Sequence, residues 1–352
     1  MNIKCIALAL ALGCAVGAQA AADKIVGYFP YWSQYSQFYP KDVRYKLLTH
    51  IHYASIAPSS DGSLAFADDS DVENFKELVK LSGENNVKLI ISIGGMETEG
   101  AFQEIAASEE TRSAFAQNVA SWLAENGGNG VELDWQNLTS DDAENYSALV
   151  EALLSALGSN YTLSAAVYPL ASTDAYSGDL LNKLDYVSVF TPDQMTEEES
   201  ELKPNQSVVV VNEAVSALES KGVDKGKMVP VVTLYGKTFA SATGLGSSHE
   251  GIGSGNEGYL SYKELMEKFE KPDYTVTFDE ASKSEVAVSA MDAVVFMGIP
   301  SVKALSEQAK SELGGVAVYE LAQDHPEPLV SLLVTIGLEL RPELDYKPAK
   351  KK

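Results

Sequence analysis

Thiols are almost absent from this chain. Its 352 residues include two cysteines, Cys5 and Cys14, both in an apolar N-terminal stretch, so the remainder has no disulfide and no thiol nucleophile to offer. Its stability must come from burial. Cations are also scarce: 26 Lys and Arg stand against 50 Asp and Glu, a formal charge of −24. Such a surface repels nucleic acid and anionic lipid and suits a neutral or cationic partner, although solubility alone also explains it. Only four histidines occur. His50 and His52 form one His-x-His pair, while His249 and His325 fall in loop-like contexts. That is too few nitrogen ligands for a catalytic metal, so no metal or other cofactor is expected. No second apolar run is long enough to span a membrane.

The first twenty residues have their own logic. Lys4 precedes an apolar run from Ile6 to Val16, too short to cross a bilayer, and the run ends in Ala18-Gln19-Ala20. This is the pattern of a secretory signal cleaved after Ala20, and it predicts a secreted or periplasmic product. A lipid on Cys14 is the minor alternative, since Ala11-Leu12-Gly13 fits a lipobox poorly. Losing Lys4 takes the charge from −24 to −25. About 330 residues remain, enough for one barrel-sized domain.

Eight apolar, β-branched runs follow: Ile25–Phe29, Leu48–Ile56, Val87–Ile93, Gly130–Trp135, Tyr161–Val167, Asp185–Phe190, Met228–Leu234 and Val316–Glu320. Several are continuously apolar, as parallel strands covered on both sides must be. Helical patterns lie between them, among them Asp71–Gly83, Ser108–Asn126, Asp141–Leu157 and Ser207–Lys221. Ser108 followed by Glu109 and Glu110 reads as a helix start, and Gly127-Gly128 as its stop. Trp122 lies in the apolar series of Phe115, Val119 and Leu123 and is expected to pack in the core. Eight alternations predict an α/β fold, a (β/α)8 TIM barrel, with a doubly wound sheet as the runner-up. A small α+β insertion, about residues 236–293, is expected between strands 7 and 8. The barrel should occupy 21–340, and 341–352, with the Lys347–Lys352 run, reads as a disordered tail. The string Gly253-Ser-Gly255-Asn-Glu-Gly258 fits a dinucleotide fingerprint but follows no strand of a βαβ unit, so it reads as a loop.

Chemistry in such a barrel belongs at the carboxyl ends of the strands. There the fourth strand reads Asn129-Gly-Val-Glu132-Leu-Asp134-Trp-Gln136. Spacing by two points Glu132, Asp134 and Gln136 into the barrel. Two carboxylates and an amide are costly to bury unless they bond to one another or to a ligand.

This segment resembles the signature of glycoside hydrolase family 18, the chitinase family, which runs Asp-Gly-x-Asp-x-Asp-Trp-Glu. Gly130, Asp134 and Trp135 match; Asn129, Glu132 and Gln136 depart. Further matches are Ser92-Ile-Gly-Gly95, Gly27-Tyr-Phe with Trp32, Thr49 to Ala54, Tyr235 to Phe239, Gly258 to Tyr262, Ser301 to Lys303 and Leu313 to Glu320. The resemblance implies a site in which the substrate's own acetamido oxygen attacks the anomeric carbon. A glutamic acid at the motif's end protonates the leaving oxygen, and here that position holds Gln136, an amide unable to transfer a proton. The family's tyrosine on strand 6 corresponds to Pro192, which has no hydroxyl, although Asp193 follows it. With both parts missing, a carboxyl restored at 136 alone should recover little hydrolysis.

The resemblance also implies sugar-binding positions at Tyr28, Trp32, Met96 (where the family has tryptophan), Asp134, Gln136, Asp193, Tyr235 and Tyr319. The expected function is therefore binding of N-acetylglucosamine-containing glycans, chitin or its oligosaccharides, without efficient hydrolysis, by a monomer with no nucleic-acid partner. The alternatives are a weakly active hydrolase in which Glu132 or a loop carboxylate serves as acid, and a protein-binding scaffold or inhibitor.

Overall fold

The computed structural model describes residues 22–344. The expected signal segment, Cys14 and all but the first four residues of the tail lie outside the described residues. Eight parallel strands follow in chain order: β1 (Lys24–Pro30), β2 (His50–Pro58), β3 (Lys88–Gly94), β4 (Gly130–Asp134), β5 (Thr162–Val167), β6 (Tyr186–Val189), β7 (Met228–Thr233) and β8 (Gly315–Tyr319). Each pairs in parallel with the next, and β8 pairs with β1. The sheet is thus closed, as predicted. Helices cover its outside, and the main apolar core lies between the two layers.

The helix Glu109–Asn126 shows how local signals set the layer. The Ser108 hydroxyl accepts the Thr111 N–H at 3.2 Å, and the Ser108 N–H donates to the Thr111 hydroxyl at 3.2 Å, satisfying donors that the first turn leaves free. Gly127 ends the helix at φ 93°. Phe115, Ala116, Val119 and Leu123 are buried against the barrel, and Trp122 packs on Phe66 and Phe75.

The chain leaves β7 straight into a five-stranded antiparallel sheet, ordered Tyr259–Ser261, Tyr235–Ala240, Asp292–Phe296, Ser284–Val288 and Thr275–Asp279. The helix Tyr262–Phe269, capped by Ser261, accompanies it. This is the inserted α+β unit, and its sheet runs three residues past Ala293. A separate cluster that includes Met195, Leu202, Phe239 and Val295 fills the space beneath it. Because its first strand starts one residue after Leu234, Tyr235 is held at the barrel rim.

Among the described residues no helix is long and apolar enough to cross a membrane.

Candidate functional site

Polar groups fill much of the barrel interior. Glu132 is fully buried on β4, where an unpaired carboxylate would be very costly. Its Oε1 accepts the Tyr28 hydroxyl and the Ser188 hydroxyl, both at 2.7 Å, and its Oε2 lies 3.0 Å from His52 Nδ1. His52 Nε2 in turn meets the Tyr186 hydroxyl at 2.6 Å. Side chains from three other strands therefore converge on one carboxylate. Burial by itself would raise the Glu132 pKa, but the His52 charge and the three contacts outweigh it, and the net shift is downward.

Asp134 stands two residues further along, half-buried at the mouth. Its Oδ1 accepts the Tyr168 hydroxyl at 2.8 Å and its Oδ2 the Gln136 amide at 3.2 Å. Loss of water and the neighbouring Glu132 charge push its pKa up to about 7, against the pull of those two donors. The close approach of β3 fixes the backbone that carries this carboxyl. Gly94, at φ 118°, lies where a Cβ would fall 2.2 Å from the Asp134 carbonyl oxygen, and the Gly95 N–H donates to that oxygen at 3.0 Å. The Ser92-Ile-Gly-Gly95 motif is thus a requirement for close packing against β4. Trp135 points the other way, out of the barrel, stacked on Phe102 at 5.3 Å.

A second polar group lies across the mouth. Asp193, just beyond β6, accepts from Asn205 Nδ2 at 2.8 Å, from the Tyr235 hydroxyl at 3.1 Å and from the Tyr259 hydroxyl. The Lys237 ammonium sits 5.0 Å above the Tyr259 ring. Pro192 beside Asp193 is exposed.

The remaining sequence-predicted residues separate by height. Trp32 just after β1, Tyr235 just after β7 and Tyr319 at the end of β8 are half-buried, and Met96 is 79% exposed after β3. Tyr28 is lower. It is 2% exposed, covered by His52, Phe190 and Tyr319, and its hydroxyl is spent on Glu132. Asn129 is at the opposite end of β4, where its Oδ1 accepts the Leu89 N–H at 2.8 Å. The motif therefore does not reach the mouth as a unit: Gln136 and Asp134 do, Glu132 lies below them, and Asn129 is remote.

Sequence reasoning missed several partners. Tyr168 reads as the tail of an apolar strand before Pro169, and no motif marks it. His52, Tyr186 and Ser188 come from two different strands, and only the spacing by two of His50 and His52 hinted that one of them faces inward.

The family model for glycosyl hydrolases family 18 matches residues 24–324. The chain belongs to that family. Chitinase 1 of Aphanocladium album is 28% identical over 303 residues, spanning 73% of this family-18 chain and 70% of that protein. The Group IV chitinase of Ostrinia furnacalis superposes with a TM-score of 0.84 at 27% identity, covering 90% of this chain and 99% of that one. Its complex with allosamidin superposes with the same TM-score of 0.84 at 26% identity, over 91% and 99%. The match thus takes in the barrel and the inserted unit together, so the mouth described above is the family-18 mouth.

Proposed function

We propose that this protein binds N-acetylglucosamine-containing glycans across the barrel mouth and does not hydrolyse them efficiently. Family membership and the chitinase relatives support a chitin-related ligand. One observation carries the second half: the side chain that shares the mouth with Asp134 is the Gln136 amide, and it donates a hydrogen bond to that carboxylate. An amide in that place orients Asp134 but supplies no proton to a leaving oxygen. Stacking surface remains at Trp32, Tyr235 and Tyr319, which favours binding of a sugar face. The reading as an exported protein rests on residues 1–20 and accompanies this proposal.

Glu132 is a poor replacement acid, being fully buried, bonded to three neighbours and held ionised. A rewired hydrolase would have to use a carboxylate from a loop or a loop–helix junction, and Glu99 opens the helix Glu99–Ala106. Glu99 is the candidate, since it acts on Asp134 electrostatically and bonds Asn137 at 2.5 Å. Calorimetric titration with chitooligosaccharides beside a product assay on the same ligands tests the proposal. Binding without product is expected, with affinity falling in Trp32→Ala and Tyr235→Ala. Product formation lost in Glu99→Gln would establish the rewired enzyme instead.

A further inference from the structure

We propose that Tyr168, at the end of β5, is the hydroxyl donor that reads the N-acetyl group of the bound glycan, in place of the hydroxyl missing at Pro192. The assignment rests on the glycan-binding reading above and names the residue that gives that site its preference for acetylated sugar.

A secondary amide presents one N–H and one C=O, so a site selective for it needs an acceptor and a donor side by side. Asp134 and Tyr168 are such a pair. Their polar atoms lie 2.8 Å apart, at hydrogen-bond contact, and in the free protein they satisfy each other. An incoming acetamido group can exchange that bond for two, its N–H to the Asp134 carboxylate and its C=O from the Tyr168 hydroxyl. The exchange leaves no buried polar group unpaired, the condition under which a site discriminates strongly against a ligand lacking the group.

The position of Tyr168 is fixed independently of the ligand. Its ring stacks on Phe190 with centroids 5.2 Å apart and planes 22° apart, and its backbone N–H donates to the Tyr176 hydroxyl at 3.0 Å. Phe190 itself packs edge-on against Tyr28 and Tyr319. The stack therefore places a phenolic hydroxyl from β5 beside Asp134, while Pro192, beyond β6, contributes none. Gln136 holds the other oxygen of Asp134, so the carboxylate's Oδ1 stays turned toward Tyr168.

The test uses Tyr168→Phe, which keeps the ring and its stacking and removes one oxygen. Binding of chitotetraose is compared with that of cellotetraose, a neutral β-1,4 glucan with hydroxyls where the acetamido groups would be. Using two neutral ligands removes the protein's acidity from the comparison. We expect Tyr168→Phe to weaken chitotetraose about tenfold, as for one hydrogen bond, and to leave cellotetraose unchanged, so that the preference between them falls about tenfold. Trp32→Ala should weaken both ligands alike. Unaltered preference in a Tyr168→Phe protein that melts like wild type would overturn the assignment while the glycan-binding reading stands. Failure of the wild type to bind chitotetraose would overturn both.

Discussion

The charge state of Asp134 is set first by its loss of water and then by the Glu132 charge below it. Its carboxyl titrates at about 7 when folded against an ordinary 3.8. A carboxyl raised by folding adds stability that is fully present below about pH 4 and is lost as pH rises through about 7. Asp134→Asn should therefore gain on wild type in thermal stability as pH rises across that window; melting curves that stay parallel from pH 4 to 8 would contradict the assignment. Glu132 has the opposite sign, since its folded pKa is lowered and its contribution disappears only as pH falls. Glu132→Gln leaves His52 without its carboxylate inside the barrel and should cost about 3–5 kcal/mol in denaturant unfolding. The same change should lower the Asp134 pKa, because repulsion from the Glu132 charge helps to raise it. A carbon-13 carboxyl titration of Asp134 in the two proteins checks this directly.

At the level of elements, one device recurs at the base of the barrel. Thr49, Asn129 and Asp185 each stand just before an even-numbered strand, and each side chain accepts a backbone N–H from the strand before it. The bonds are Ile25 to Thr49 at 2.9 Å, Leu89 to Asn129 at 2.8 Å and Leu163 to Asp185 at 2.8 Å. Asn129 therefore serves register, and Asn129→Ala should cost about 1 kcal/mol of stability while leaving glycan affinity unchanged. An affinity loss in that variant would place it in the site after all. The strands themselves were legible because a covered parallel strand leaves a continuous apolar run, and Ser108 with Gly127 marked a helix to within a residue. Side-chain height was not legible. Spacing by two separates inside from outside along one strand, so it found Glu132, Asp134 and Gln136. It does not say how far the stagger between strands offsets their levels, and so Tyr28 turned out covered, Asn129 lay at the base and Tyr168 went unnoticed.

The whole molecule is a closed barrel whose inserted sheet completes one wall of the mouth, set in a strongly acidic surface of formal charge −24. Because the proposed ligand is neutral, raising salt to about 0.5 M should barely change its affinity; a steep salt dependence would indicate a cationic glycan. Tyr168 also alters the expectation for rescue. With a hydroxyl already beside Asp134, Pro192 is a smaller defect than its place in the sequence implies, and a carboxyl at 136 should suffice on its own. The most direct measurement is chitooligosaccharide hydrolysis by wild type, Gln136→Glu, Gln136→Ala and Gln136→Glu with Asp134→Ala. Wild type and Gln136→Ala should match buffer, Gln136→Glu should exceed them by about 100-fold or more, and the added Asp134→Ala should abolish that gain. Wild-type turnover that persists unchanged in Gln136→Ala would contradict the account.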